Sequence, residues 1–127
     1  MATNNQKTVL IVDDDLSLQK ILHEQITAQG LSTTSVETGV EALQSAKDHK
    51  PDLILLDIML KGNQNGFDVL EALKKDDDLK HIPVIVLTNL DSEQKSALSI
   101  GAIDYIVKAN ISIDEVVLKI KNMLQIT

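Results

Sequence analysis

The sequence predicts an α/β fold: one domain built on a doubly wound, five-stranded parallel sheet. Three observations lead there. Short apolar runs alternate five times with longer stretches of helical spacing. The runs at 9–12, 53–56 and 84–87 are apolar at every position, as strands covered on both faces are. Cap and turn residues fall between these segments, where a chain changes direction.

Taken in order, a first strand is expected over 8–12 and a helix over 16–29. In that helix Leu18, Ile21, Leu22, Gln25 and Ile26 keep the i, i+3, i+4, i+7, i+8 spacing, with one polar lapse. Asp15 is placed to cap its start, and Gly30 to end it in a left-handed conformation. The second strand, 31–36, is half polar and fits a sheet edge. Thr38-x-x-Glu41 reads as a capping box opening a helix over 38–48. Pro51 then discourages continuation before a third strand at 53–57, and Pro83 does so before a fourth at 84–87. Between them lie a helix over 66–75 and the charge run 74–80, whose acid triplet reads as a solvated loop. A helix over 91–100 and a fifth strand at 103–107 follow. Asp104 marks that strand as the other edge. Ser112-x-x-Glu115 caps a last helix over 112–125, where Ile113, Val116, Val117, Ile120 and Leu124 are spaced without a lapse. Short, right-handed crossovers then favour strand order 2-1-3-4-5, a flavodoxin-like (βα)5 topology.

Composition sets outer limits. A chain of 127 residues is expected to form one domain, spanning 1–127 with its core at about 8–124. It is 43% hydrophobic with Phe67 and Tyr105 as sole aromatics, so the core must be aliphatic. Cysteine is absent, which excludes disulfides and thiolate metal sites. No apolar stretch approaches the roughly 20 residues of a membrane span, and residues 1–7 lack a secretion signal. A cytoplasmic location is the expectation. A net charge of −7 disfavours direct nucleic-acid binding, which needs a basic stripe.

The chemistry gathers where the apolar runs stop. The first ends at Asp13-Asp14, the third at Asp57, the fourth at Thr88 and the fifth at Lys108. In a parallel sheet of the expected order these residues share the carboxyl edge, where open α/β sheets bind ligands. Carboxylates crowded there repel one another unless a cation enters. Oxygen ligands without His or Cys suit magnesium, with manganese able to stand in. An ionised Asp57 could then attack a phosphoryl group as a carboxylate nucleophile. The ion, Lys108 and Thr88 would stabilise the equatorial oxygens. Each residue alone has a plainer reading as turn, cap or surface group. Their coincidence at four strand ends is the specific signal.

These segments, with Leu55-Leu56-Asp57-Ile58-Met59-Leu60 and Tyr105-Ile106-Val107-Lys108 among them, resemble the receiver domain of two-component response regulators. The resemblance runs from about Thr8 to Leu124. It implies that Asp57 takes a phosphoryl group from a sensor histidine kinase or a histidine phosphotransfer protein. Asp13 and Asp14 would hold magnesium with Asp57 and the backbone carbonyl of Met59. Thr88 would be the switch hydroxyl, Lys108 its paired lysine, and Tyr105 the aromatic whose rotamer follows Thr88. The responding surface would be that of the fourth helix, fifth strand and fifth helix, where a separate downstream protein docks. A monomer or weak dimer is expected.

Several positions depart from the family pattern. The loop 60–66 lacks the usual Pro and is one residue longer than common. Asn89 stands where a small residue is frequent. Ala109 replaces a Pro often preceded by a cis bond, and a trans bond is expected here. Met59 and Leu90, both apolar, flank the site where water reaches the phosphoryl group.

Three other readings compete. A small magnesium phosphatase using Asp57 would want a general acid two residues on, where Met59 stands. A flavodoxin-type module would need a phosphate-cradling loop where Asp13, Asp14 and Asp15 stand. A phosphorylation-independent interaction module would not need the full polar set. His23, His49 and His81 are read as structural or surface residues, the donor histidine belonging to a partner.

Overall fold

A computed structural model describes residues 6–60 and 65–125. Five parallel strands form one sheet in the order β2-β1-β3-β4-β5. They are β1 (Thr8–Val12), β2 (Ser32–Val36), β3 (Leu53–Leu56), β4 (Val84–Thr88) and β5 (Asp104–Val107). The helices between and after them are α1 (Leu16–Thr27), α2 (Gly39–His49), α3 (Gly66–Lys75), α4 (Gln94–Ile100) and α5 (Ile113–Leu124). The expected topology and both edges are as read from the sequence.

Alternation along each strand divides the core in two. Val9, Ile11, Leu53, Leu55, Ile85 and Leu87 face one side, where α1 and α5 cover them with Leu22, Ile26, Val116 and Ile120. Leu10, Val12, Ile54, Leu56, Val84 and Val86 face the other, under α2, α3 and α4. Two-sided burial is why β1, β3 and β4 read as unbroken apolar runs. β2 carries Ser32, Thr33, Thr34 and Ser35, none of them buried, as an edge strand permits.

Caps fix where the helices begin. Asp15 accepts the Leu18 N–H at 3.1 Å, as expected. Ser112 and Glu115 form a reciprocal capping box. Thr38 and Glu41 do only half of that. Thr38 accepts the Glu41 N–H, but the Glu41 carboxylate turns to the Thr38 hydroxyl and the Glu37 N–H. A second full box, Asn65 with Asp68, opens α3 and was not expected. Gly30 takes φ +86° beyond α1.

Two expectations fail by the geometry of α1 and α4. Ile21 and Gln25 are exposed, because the inward stripe of α1 runs through Gln19, Leu22 and Ile26. The fourth helix starts at Gln94 rather than 91, with no side-chain cap at Glu93 to hold an earlier turn. Among the described residues no peptide bond is cis, so Lys108–Ala109 is trans, in a short 3-10 turn spanning Lys108–Asn110. No helix among them is long and apolar enough to cross a membrane.

Candidate metal and phosphoacceptor site

The register of the central strands sets the site. Val12 lies opposite both Leu56 on β3 and Val36 on β2, so the residues that follow β1 and β3 emerge side by side. The Asp57 N–H donates to the Val12 carbonyl at 2.9 Å, and the Asp13 N–H donates to the Val36 carbonyl at 3.1 Å. Ladder bonds thus extend one residue past the strands and orient both carboxylates outward over the edge.

Asp13, Asp14 and Asp57 each offer a carboxylate oxygen, and these oxygens lie within 4.8 Å of one another. Asp13 and Asp57 are buried, while Asp14 is partly exposed at the mouth. Lys108 reaches in from the end of β5, its Nζ 2.7 Å from Asp13 Oδ2 and 2.8 Å from Asp57 Oδ2. The other oxygens are held by backbone. Asp13 Oδ1 accepts the Asp15 N–H at 2.9 Å, and Asp57 Oδ1 accepts the Met59 N–H at 3.0 Å.

Burial pushes the Asp13 carboxyl above its ordinary value, against the Lys108 ammonium and the Asp15 amide, which favour the charged form. For Lys108, burial works against the ammonium, but the bonds and charges of Asp13 and Asp57 outweigh it and hold its pKa above normal. Three carboxylates against one ammonium leave negative charge uncompensated. A hard divalent cation fits that imbalance and this all-oxygen donor set.

The remaining predicted residues lie nearby but are engaged elsewhere. Thr88 is fully buried, and its Oγ1 accepts the Leu90 N–H at 3.4 Å. Among the described residues no hydrogen bond joins Thr88 to Asp57. Tyr105 is buried with its hydroxyl donating to the Leu90 carbonyl, and burial raises its phenol pKa. Thr88 and Tyr105 therefore grip the two ends of one peptide unit pair at Leu90. Met59 exposes its side chain beside a groove of about 520 Å³, which is also lined by Asp14, Leu60, Phe67 and Leu90. Of the 60–66 loop, expected to be one residue longer than common, residues 61–64 lie outside the described residues.

Two residues of the site were not legible beforehand. Gln19 on α1 is buried, and its Nε2 donates to the carbonyls of Asp13 at 2.6 Å and Val36 at 2.8 Å. Gly66 opens α3 so close to the end of β3 that a Cβ would overlap the Asp57 carbonyl oxygen and Ile58 Cα. Its N–H donates to the Ile58 carbonyl at 2.8 Å. Gln19 gave no signal, because the polar lapse in the apolar spacing read for α1 falls at Gln25. For Gly66 there was none beyond its place at a helix start.

Residues 9–121 match the family model described as response regulator receiver domain. The polar-differentiation response regulator DivK of Brucella anthropi is 45% identical over 82 residues, covering 65% of this chain and 66% of the relative. The aligned stretch therefore falls just short of two thirds of that relative's length. Among solved structures, the receiver domain of a Francisella response regulator superposes with a TM-score of 0.85 at 30% identity, covering 94% of this chain and 98% of that one. A CheY-like receiver domain protein from Methanospirillum hungatei gives 0.86 at 28% identity, covering 95% of each chain. The chain belongs to the response regulator receiver domains of two-component signalling.

Proposed function

From that membership we propose that the chain is a phosphorylation-dependent switch with Asp57 as its phosphoacceptor. A phosphohistidine of a sensor histidine kinase or histidine phosphotransfer protein presents its phosphorus to an Asp57 carboxylate oxygen. The new O–P bond forms as the N–P bond breaks, and the freed imidazole takes a proton from solvent. The observation that carries this reading is the placement of Asp57. Its carboxylate is buried, within 4.8 Å of those of Asp13 and of Asp14, which lines an open groove, and 2.8 Å from an ammonium.

Asp13, Asp14, Asp57 and the Met59 backbone carbonyl would hold magnesium, or manganese in its place. The ion supplies charge neutralisation for the incoming phosphoryl oxygens. Lys108 stays at Asp57 and meets a phosphoryl oxygen with its ammonium. Thr88 exchanges its bond with the Leu90 amide for one with the phosphoryl group. That change loosens the Leu90 carbonyl that Tyr105 holds, and so reshapes the α4–β5–α5 face for a separate downstream protein. We read the chain as a single receiver domain working in the cytoplasm, as a monomer or weak dimer, without binding nucleic acid or membrane. Its own chemistry is limited to taking up the phosphoryl group and slowly losing it. The phosphatase alternative is disfavoured, since the Met59 side chain has no proton to give where an acid is needed.

Acetyl phosphate with magnesium is expected to add one phosphoryl group, located on Asp57 by mass spectrometry. Asp57→Asn is expected to take up none. Labelling that persists in that variant would overturn the assignment.

A further inference from the structure

Gln19 stands apart from the other buried residues of α1. Its neighbours on the inward stripe are Leu22 and Ile26, which pack under the sheet. Gln19 instead reaches the carboxyl edge and bridges two carbonyls, those of Asp13 and Val36. Both partners are acceptors only, so the side chain must present its NH₂ to them. Among the described residues the Asp13 carbonyl accepts no backbone hydrogen bond. Without Gln19 it would be a buried acceptor with nothing to bond, which is costly. The Val36 carbonyl already accepts the Asp13 N–H, so the amide of Gln19 closes a clip across the ends of β1 and β2.

We propose that Gln19 is a positioning residue for the metal site: its side-chain amide, by fixing the backbone of Asp13 against β2, sets the carboxylate where magnesium binds. This rests on the reading of Asp13 as a ligand. Asp13 is otherwise anchored through its side chain, to the Asp15 amide and to Lys108. An entering ion competes for those same carboxylate oxygens. The backbone bonds from Gln19 and to Val36 do not involve them, and so hold Asp13 in place while its carboxylate changes partners. Loss of a group that orients a ligand in this way typically costs about 10- to 100-fold in metal affinity.

The test is magnesium titration by calorimetry of the wild-type chain and of Gln19→Met, which keeps the side-chain length but donates no hydrogen bond. Q19M is expected to bind magnesium about tenfold more weakly. At saturating magnesium its Asp57 is expected to label with acetyl phosphate to the wild-type level. A loss of general stability alone would not separate these two readouts in a folded protein. A folded Q19M that binds magnesium within twofold of wild type overturns the inference alone. A wild-type chain that binds no magnesium overturns the reading of the site with it. Should Q19M fail to fold, NMR of the wild type decides. The Gln19 side-chain amide protons are expected to exchange slowly and to shift on magnesium addition. Exchange as fast as that of exposed Gln25 would refute the clip.

Discussion

Both carboxylate oxygens of Asp13 are held, as are its amide and carbonyl, whereas the side chain of Thr88, a residue of β4 itself, makes one long bond, accepted from the Leu90 N–H. The helices behind these residues differ in the same sense. α1 is capped by Asp15 and runs twelve residues with Leu22 and Ile26 in the core. α4 runs seven residues, has no side-chain cap and buries only Ala97. The charged half of the edge is built to stay put under strong repulsion. The other half has fewer anchors among the described residues, the pattern expected of a segment of lower local stability. One sheet thus carries a firmly bonded cluster beside a more lightly bonded one.

The sharpest way to break this contrast is Lys108→Ala. It leaves the buried Asp13 and Asp57 facing each other without a counter-charge, at an expected cost of about 3 kcal/mol in apo stability. Magnesium should recover much of the loss, as thermal unfolding with and without the ion would reveal. Equal losses in both conditions would show that the ammonium is not balancing this pair.

A subtler probe of the same half is pH. The folded Asp13 carboxyl lies above its ordinary 3.8 because it is buried, so the folded chain keeps a proton that the unfolded chain has released. Magnesium-free stability should therefore fall as pH rises from about 3.8 through the folded value. Lys108, raised above 10.5, adds stability that is lost only in the alkaline range. Urea unfolding across acid pH should give a shallower fall for Asp13→Asn than for wild type. Identical slopes would remove Asp13 as the source.

On the loose half the effects are smaller. Tyr105→Phe removes the bond to the Leu90 carbonyl and should cost about 1 kcal/mol. Amide exchange should quicken around Leu90 and α4 but not around Asp13. Exchange that quickens equally at both places would mean the halves are not independent. Smaller still, Glu93→Ser offers α4 the side-chain cap it lacks and should add about 0.5 kcal/mol. Slower exchange of the first α4 amides would register it, and no change would place the weakness of α4 in its packing instead.

How far the sequence could be read follows the same division. β1, β3 and β4 were legible because burial on both faces leaves uniform apolar runs. The meeting of Asp13, Asp57 and Lys108 was legible because parallel strands end at one shared edge. The first turn of α4 was misplaced, since residues 91–93 are polar and nothing among them caps a helix. Ile21 was read inward because spacing alone cannot fix the phase of a helix whose inner stripe includes Gln19. Gln19 itself was hidden, since hydropathy treats an amide as a surface group whatever it bonds. Asn65 with Asp68 falls outside the Ser/Thr-x-x-Glu/Gln pattern that marks a capping box in sequence.

Gly66 limits how this chain can vary. Where most helices are separated from their sheet by side chains that can be traded for others, here main chain rests on main chain, directly behind Asp57. At 66, even alanine would wedge the helix off the strand end and carry the Asp57 carboxylate with it. A saturation library selected for phosphoryl uptake should come back nearly silent at that one codon.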